Sequence, residues 1–294
     1  MTVLNHTVEN ALDFLAATVA TNFKADLFSY LGGIRADYLT EFRESMENLA
    51  SKNNEQKNLV FLLHTGGGVA EIVENMVQIT RHHYNEVWFL VPDLAMSAGT
   101  ILCMSGDKIF MDYSSALGPI DPQVQNSEGQ LVPALGYLDQ VKQMIDKSAN
   151  NALTDAEFAI LQNQDLATLQ RYEQAKELSI SLLKDWLVKY KFKDWNLHAS
   201  KQTPVTEEDK IERAGEIASE LSDHKRWHSH GRMIGMNTLT AQLNLKIEDY
   251  TADLPRRLAV RQYSDLLIDC LKNRRVDHLF HAISLAEAKD YFVE

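Results

Sequence analysis

The sequence is poor in cysteine and has no excess of basic residues. Its two cysteines, Cys103 and Cys270, stand far apart in apolar sequence and form no C-x-x-C pair. Neither a disulfide framework nor a zinc site is therefore indicated, and we expect a reducing, cytoplasmic environment.

Positive charge and long apolar runs are also missing. The formal net charge is −12 at pH 7, and no stripe of Lys and Arg is interleaved with aromatic residues. This excludes the usual footprint of a nucleic-acid-binding protein, so we expect no nucleic-acid partner. Because no run of about 18 apolar residues occurs, we also expect no membrane span.

The first half of the chain alternates strand and helix signals. Hydrophobic residues make up 45% of the chain, enough to bury a full core. An amphipathic helix is predicted near the N-terminus, where Val8, Leu12, Leu15 and Val19 recur at helical spacing. The continuous apolar runs ADLFSYL, NLVFLLH and EVWFLV then predict strands separated by helices. Continuous rather than alternating apolar strands indicate a parallel sheet covered on both faces, which is an α/β fold.

The second half reads as helical. Helices are predicted over residues 136–150, 154–190, 206–225 and 252–273, with an irregular segment between the last two. We therefore divide the chain into an α/β core with an N-terminal helix, residues 1–150, and a mainly helical C-terminal extension, residues 151–294.

Two loops follow neighbouring strand predictions and begin helices. They are HTGGG at residues 64–68 and PDLAMSAGT at residues 92–100. Ligands of α/β sheets bind beyond the carboxyl ends of the strands, where the first N–H groups of a helix are free. If the two strands are neighbours, two sets of N–H donors converge as an oxyanion hole, and Ser97 supplies a hydroxyl beside them.

Simpler interpretations of both loops remain open. A serine before a short helix is most often an N-cap, and three glycines can form only a tight turn or a phosphate cradle. The glycines lack the Gly-Lys-Ser/Thr ending of a P-loop and the spaced glycines of a dinucleotide fold. Phosphate and dinucleotide binding are therefore disfavoured, and no cofactor is expected.

These motifs, in this order, resemble a known family. The series LHTGGG, PDLAMSAGT and GDKIFMDYSSALGPIDPQ is similar to the Clp-protease and crotonase superfold, built from repeated ββα units. Within it the chain looks most like the serine dehydrogenase proteinase family and its relative, signal peptide peptidase A. LSDHKRWHSHGRMI, in the C-terminal half, fits the same family.

The resemblance implies a serine peptidase acting on peptides or unfolded chains through an acyl-enzyme. Ser97 would be the nucleophile, with the N–H groups of Gly68 and Ala98 as the oxyanion hole and Gly67 beside them. Clp-type peptidases carry a histidine near the position of Asp121 here, and this chain has none there.

The general base is left open among three residues. Lys147 lies at the distance from Ser97 that shorter signal peptide peptidases use for a lysine base, which requires a depressed pKa. His64 stands at the mouth of the glycine loop, and His230 lies in the C-terminal HSHGR segment. The non-catalytic alternatives are that Lys147 is a solvated lysine and that His64 and His230 are hydrogen-bonded structural residues.

Metal binding and two other functions are alternatives to the peptidase. The pairs His228/His230 and His278/His281 have no further ligand at zinc-like spacing, so no metal is expected. The alternatives are a catalytically inactive oligomeric scaffold and a crotonase-type enzyme acting on acyl-thioesters. We expect a homo-oligomer, because Ile180, Leu183 and Leu187 form an apolar stripe that one core does not fully cover.

Overall fold

The fold is built on a sheet whose central strands are buried on both faces. The structure, a computed structural model, describes residues 3–52, 58–125, 131–198 and 202–292. Its strands are β1 Asp26–Gly32, β2 Asn58–His64, β3 Glu86–Val91, β4 Leu94–Ala95, β5 Lys108–Met111, β6 Ala116–Leu117, β7 Gln123–Gln125, β8 Leu131–Pro133, β9 Ile234–Gly235, β10 Glu248–Asp249 and β11 His278–Ile283.

Helices connect these strands and form the second half of the chain. They are α1 Val3–Phe23, α2 Leu39–Ser51, α3 Ala70–His83, α4 Ala98–Met104, α5 Ala134–Ala149, α6 Asp155–Gln162, α7 Leu166–Trp186, α8 Glu207–Ser222, α9 His224–Trp227, α10 Met236–Ala241, α11 Leu254–Arg274 and α12 Leu285–Asp290. A 3₁₀ turn, Ala36–Tyr38, precedes α2, and a π-helical turn, Leu187–Lys191, extends α7.

In the described residues the main sheet has six strands in the order β10-β5-β3-β2-β1-β11. All neighbouring pairs are parallel except β1 and β11, which are antiparallel. Alternate residues of one strand point to opposite faces. Phe61 and Leu63 of β2 therefore join one apolar cluster, while Val60 and Leu62 join the other. The α/β prediction is confirmed.

The C-terminal half does more than add helices. Its strands β11 and β10 complete the two edges of the main sheet. The helical interpretation of this half misses β11, because its short HLFHAI run follows a long helix and is only half-buried. The division at residue 150 remains a prediction, although both sides of it contribute strands to one sheet.

The predicted apolar stripe on α7 is covered within the chain. Leu183 and Leu187 are fully buried in the main core, and Ile180 packs against that core. That stripe therefore gives no support for an oligomer. None of the helices in the described ranges combines the length and apolar character needed to cross a membrane.

A buried ion pair fastens α11 to the sheet. The fully buried carboxylate of Asp112, just after β5, accepts hydrogen bonds from Arg261 of α11, with Nη2 at 2.5 Å, and from the Ser114 hydroxyl. Burial raises the pKa of Asp112, but the bonds from Arg261 and Ser114 outweigh it and hold the pKa below its usual value.

Arg261→Met leaves that buried carboxylate without its cation. We expect the free energy of unfolding, measured by urea denaturation, to fall by about 3 kcal/mol. The control is Arg274→Met on the same helix, where the arginine is exposed and 3.7 Å from Glu9; its loss should stay below about 1 kcal/mol. Equally small losses in both variants would show that the pair does not hold α11 in place.

Candidate active site

The two loops after β2 and β3 lie side by side. The strands are parallel neighbours, and their pairing continues beyond the sheet through Thr65. The Thr65 N–H donates to the Leu94 carbonyl at 3.1 Å, and the Met96 N–H donates to the Thr65 carbonyl at 3.0 Å. The glycine loop is therefore held against the residues that lead directly to Ser97.

The three glycines of this loop differ in their φ angles and in the space around them. Gly67 and Gly68 have φ angles of +107° and +152°, which favour glycine. A Cβ on Gly68 would lie 2.1 Å from the Ile34 carbonyl oxygen, and one on Gly67 would lie 2.9 Å from Ser97 Cβ. Gly66 has open space around it. At Gly67 and Gly68 the space that a side chain would need is thus filled by other parts of the protein.

Ser97 sits in a strained turn between β4 and α4. Its φ and ψ are 53° and −117°, outside the regions that residues with a side chain ordinarily occupy. Such conformations cost on the order of 1 to 3 kcal/mol and cluster at functional sites. Its hydroxyl makes no capping bond to α4, so the N-cap interpretation does not describe this serine.

Two backbone N–H groups face the same space as Ser97. Gly68 and Ala98 both line a cavity of about 730 Å³ that Ser97 also lines. Neither N–H has an acceptor among the residues that the structure describes. The Gly67 N–H, in contrast, donates to Thr65 Oγ1 at 3.0 Å. Gly68 and Ala98 are therefore the available donors, and Gly67 shapes the loop.

His230 lines the same cavity and is bound to a buried carboxylate. Its Nδ1 is 2.9 Å from Oδ1 of Asp121, whose side chain is 1% exposed. The second Asp121 oxygen accepts a bond from the Gln123 amide at 3.0 Å. Because a carboxylate only accepts, the Nδ1–H points to Asp121 and leaves Nε2 of the neutral ring as the basic atom.

A small second sheet brings these side chains together. Its strand order is β4-β6-β9, with β4 and β6 parallel and β6 and β9 antiparallel. Ser97 follows β4, Asp121 follows β6, and His230 precedes β9. Thr100 of α4 bonds the carbonyl of Gly118 and accepts from its N–H, both at 2.9 Å, which ties the Ser97 and Asp121 segments together.

The other predicted bases lie elsewhere. Lys147, at the end of α5, is 51% exposed and pairs with Glu157 at 2.5 Å, and it does not line the cavity. His64 Nδ1 is 3.4 Å from Asp93, outside the cavity lining, and burial lowers the pKa of His64. Of the predicted site residues, Ser97, Gly68, Ala98 and His230 thus line one cavity.

The histidine pairs considered for metal binding do not form a cluster. His278 contacts Glu41 at 2.8 Å, whereas His281 bonds Tyr263 and Asp13. In the described ranges no group of three or more His, Cys, Asp or Glu side chains is placed to hold a metal ion.

Sequence reasoning missed Asp121 as a participant. It noted this position only as one where a histidine is absent, although a carboxylate inside SALGPIDPQ was visible. It also could not show that residues 121 and 230 are neighbours. Their contact depends on the pairing of β6 with β9, two short strands that carry almost no sequence signal.

The fold and these groups are typical of hydrolases that use a serine nucleophile. Comparison with protein families agrees. The family described as ClpP-like SDH-type serine proteinase matches residues 41–203, more than half of the chain, and the chain belongs to this family. The resemblance and the Clp-like fold predicted from the loop motifs are thereby confirmed.

Two curated relatives come from Methanocaldococcus jannaschii. The uncharacterized protein MJ0137 is 34% identical over 134 residues, covering 42% of this chain and 45% of the relative. The uncharacterized protein MJ1495 is 27% identical over 131 residues, covering 45% of this chain and 40% of the relative. The matches therefore span less than half of either relative.

Solved structures of a membrane-bound stomatin-specific protease, 1510-N, are also similar to part of the chain. A lysine-to-alanine variant with a substrate peptide matches with 22% identity and a TM-score of 0.32, over 42% of this chain and 60% of that one. A serine-to-alanine variant matches with 20% identity and a TM-score of 0.32, over 41% and 62%.

Gly68→Ala tests whether the glycine loop is built for its N–H donor. The added methyl group meets the Ile34 backbone, so the loop must shift and the donor must move. We expect peptide turnover to fall about a hundredfold or more, the loss typical of one oxyanion donor. Gly136→Ala, on α5 outside the cavity lining and with open space for the methyl group, is the control and should keep its activity. Equal activity in both variants would remove Gly68 from the mechanism.

Proposed function

We propose that the chain is a serine peptidase that works through Ser97, His230 and Asp121. The observation that supports this most strongly is that one cavity is lined by a strained, uncapped serine and by a histidine whose other nitrogen is held by a buried carboxylate. Family membership supports the same class of activity.

The chemistry proceeds by acyl transfer. The Ser97 hydroxyl attacks the scissile carbonyl while His230 Nε2 takes its proton. Asp121 keeps the proton of His230 on Nδ1 and stabilises the imidazolium that forms. The same proton then passes to the leaving amine, and water hydrolyses the acyl-enzyme by the reverse route. The N–H groups of Gly68 and Ala98 bind the oxyanion in both steps.

The shape of the cavity supports a peptide substrate. Helix α7 forms one wall of the cavity. Its lining side chains begin at the exposed Arg171 and end at the buried Ser179. This stretch of helix is about 12 Å long, at 1.5 Å per residue. It matches three to four residues of extended peptide, at roughly 3.3 Å each. We therefore propose extended segments of peptides or unfolded chains as substrates.

His230 is preferred over Lys147 as the base for a geometric reason. A general base must lie within hydrogen-bonding reach of the proton it takes, directly or through one water. His230 shares the cavity with Ser97, whereas Lys147 is bound to Glu157 outside it.

Covalent labelling tests these assignments. A serine-directed fluorophosphonate should modify Ser97, as mapped by peptide mass spectrometry, and Ser97→Ala should abolish the modification. Asp121→Asn should slow turnover on the order of 10⁴-fold, because the amide favours the wrong histidine tautomer. His230→Gln should act in the same direction.

Lys147→Met is the control in that experiment and should label at the wild-type rate. If Lys147→Met lost labelling while His230→Gln still labelled normally, the role of general base would be assigned to Lys147 and not to His230. A folded wild-type chain that never labels at Ser97 would favour the inactive scaffold.

We also propose that the chain forms a homo-oligomer. Exposed apolar side chains recur along α5, α6 and the start of α7, at Ile145, Phe158, Ile160 and Leu166. Burying such side chains between copies of the chain would be favourable.

Light scattering tests the oligomer. We expect a mass that is a multiple of the 33.4 kDa chain at micromolar concentration. The double variant Phe158→Ser and Leu166→Ser should lower that mass, whereas Ser substitution of the exposed Val3, on α1, should not. A wild-type mass equal to one chain would overturn the proposal.

A further inference from the structure

A second cavity lies apart from the one that contains Ser97. It has a volume of about 790 Å³, and the described residues that line it differ from those that line the first. Its wall comes from the π-helical turn after α7, the start of α8, the turn before β5 and the segment leading to β10. This volume is that of a typical small-molecule site.

Lys191 is directed into this cavity by an irregular backbone. It is the last residue of the π-helical turn, in which the Phe192 N–H donates to the Leu187 carbonyl at 2.8 Å. Such turns are rare and are frequently found at functional sites. The half-buried Lys191 side chain lines the cavity.

The Lys191 ammonium has no hydrogen bond or ion pair among the residues that the structure describes. The other cations of the cavity are engaged. Lys246 pairs with Glu248 at 3.2 Å, Arg213 bonds Glu216 and the Leu243 carbonyl, and Lys108 lies 4.7 Å above the Trp88 ring. Among the cations that line the cavity in the described ranges, Lys191 is therefore the one left to receive a ligand.

The acidic side chains that line the cavity have other partners or are exposed, so they do not pair with Lys191. Asp107 accepts from Arg81 at 2.9 Å and from the Val87 N–H at 2.7 Å, and it pairs with Lys193 at 2.6 Å. Asp209 is used in the capping box of α8. Asp194 and Glu212 are exposed to solvent.

The direction of the Lys191 pKa shift agrees with a site that lacks an anionic partner. Burial lowers the pKa of Lys191 to about 8, although the nearby carboxylates of Glu248 and Asp107 act in the opposite direction. A bound anion would offset this burial cost. Because those two carboxylates also repel an anion, a single negative charge suits the site better than a doubly charged phosphate.

The remaining wall is suited to an apolar body. Trp195 lines the cavity, with its ring packed edge-on to Phe192 at 5.6 Å between centroids. Aromatic side chains of this kind supply most of the contact area in small-molecule sites.

We propose that this cavity binds a small organic monocarboxylate, with its carboxylate on Lys191 and its apolar body against Trp195. Nothing in this proposal depends on the peptidase assignment. Phenylacetate is a suitable probe, and phenylacetamide is its neutral counterpart of nearly the same shape.

Competitive acetylation tests the site on the full wild-type chain. Acetic anhydride reacts with neutral amines, and peptide mass spectrometry follows Lys191 and Lys189 separately. Lys189 is an internal control, since it is exposed on the same π-helical turn and does not line the cavity. Phenylacetate should slow acetylation of Lys191 at least fivefold and leave Lys189 unchanged. Pairing with the carboxylate raises the pKa of the Lys191 amine and so lowers its neutral fraction, and the bound ligand blocks the approach of the anhydride.

Calorimetry supplies the second measurement. Phenylacetate should bind Lys191→Met at least tenfold more weakly than wild type, the loss expected for a charge-assisted hydrogen bond. Lys189→Met should bind like wild type. The proposal fails if phenylacetate does not protect Lys191, if phenylacetamide protects it equally, or if inorganic phosphate protects it and phenylacetate does not.

Discussion

The two backbone hydrogen bonds of Thr65 are the constraint on which the candidate active site depends. They extend the pairing of β2 and β3 past the end of the sheet and hold the glycine loop against Leu94 and Met96. The positions of the Gly68 and Ala98 N–H groups are fixed relative to each other by this contact. The strained Ser97 turn lies directly after it, so the local cost of that conformation is met by pairing on one side and by the burial of α4 on the other.

The small sheet adds what the main sheet lacks. The parallel strands lead to Ser97 and to the N–H groups of Gly68 and Ala98, but His230 and Asp121 come from segments more than a hundred residues apart in sequence. Pairing of β6 with both β4 and β9 brings them to one place. The site is therefore a property of long-range topology, and each of its polar groups is oriented by another element of the fold.

The parts of this structure that the sequence predicted are those with strong local signals. The apolar runs of β1, β2 and β3 and the glycines at 67 and 68 left few alternatives, and Ser97 stood at a strand-to-helix turn. The contact between Asp121 and His230 could not be predicted, since it rests on two-residue strands. Lys147 follows from the Ser-to-Lys spacing that the family resemblance implies, and spacing does not show that its amine is bound to Glu157. Leu183 and Leu187 are predicted to be only partly covered because helical periodicity does not show which other helices pack against α7; in the structure these include α4 and α8.

The pairing of β1 with β11 has a consequence for the order in which the molecule can form. During synthesis Ser97 emerges more than a hundred residues before His230, and β1 stays an open sheet edge until residues 278–283 arrive. An open edge is prone to pairing with other chains, and late contacts of this kind slow folding. They also delay the arrival of His230 beside Ser97, so under the proposed mechanism a nascent chain that carries only the glycine loop and Ser97 still lacks its general base.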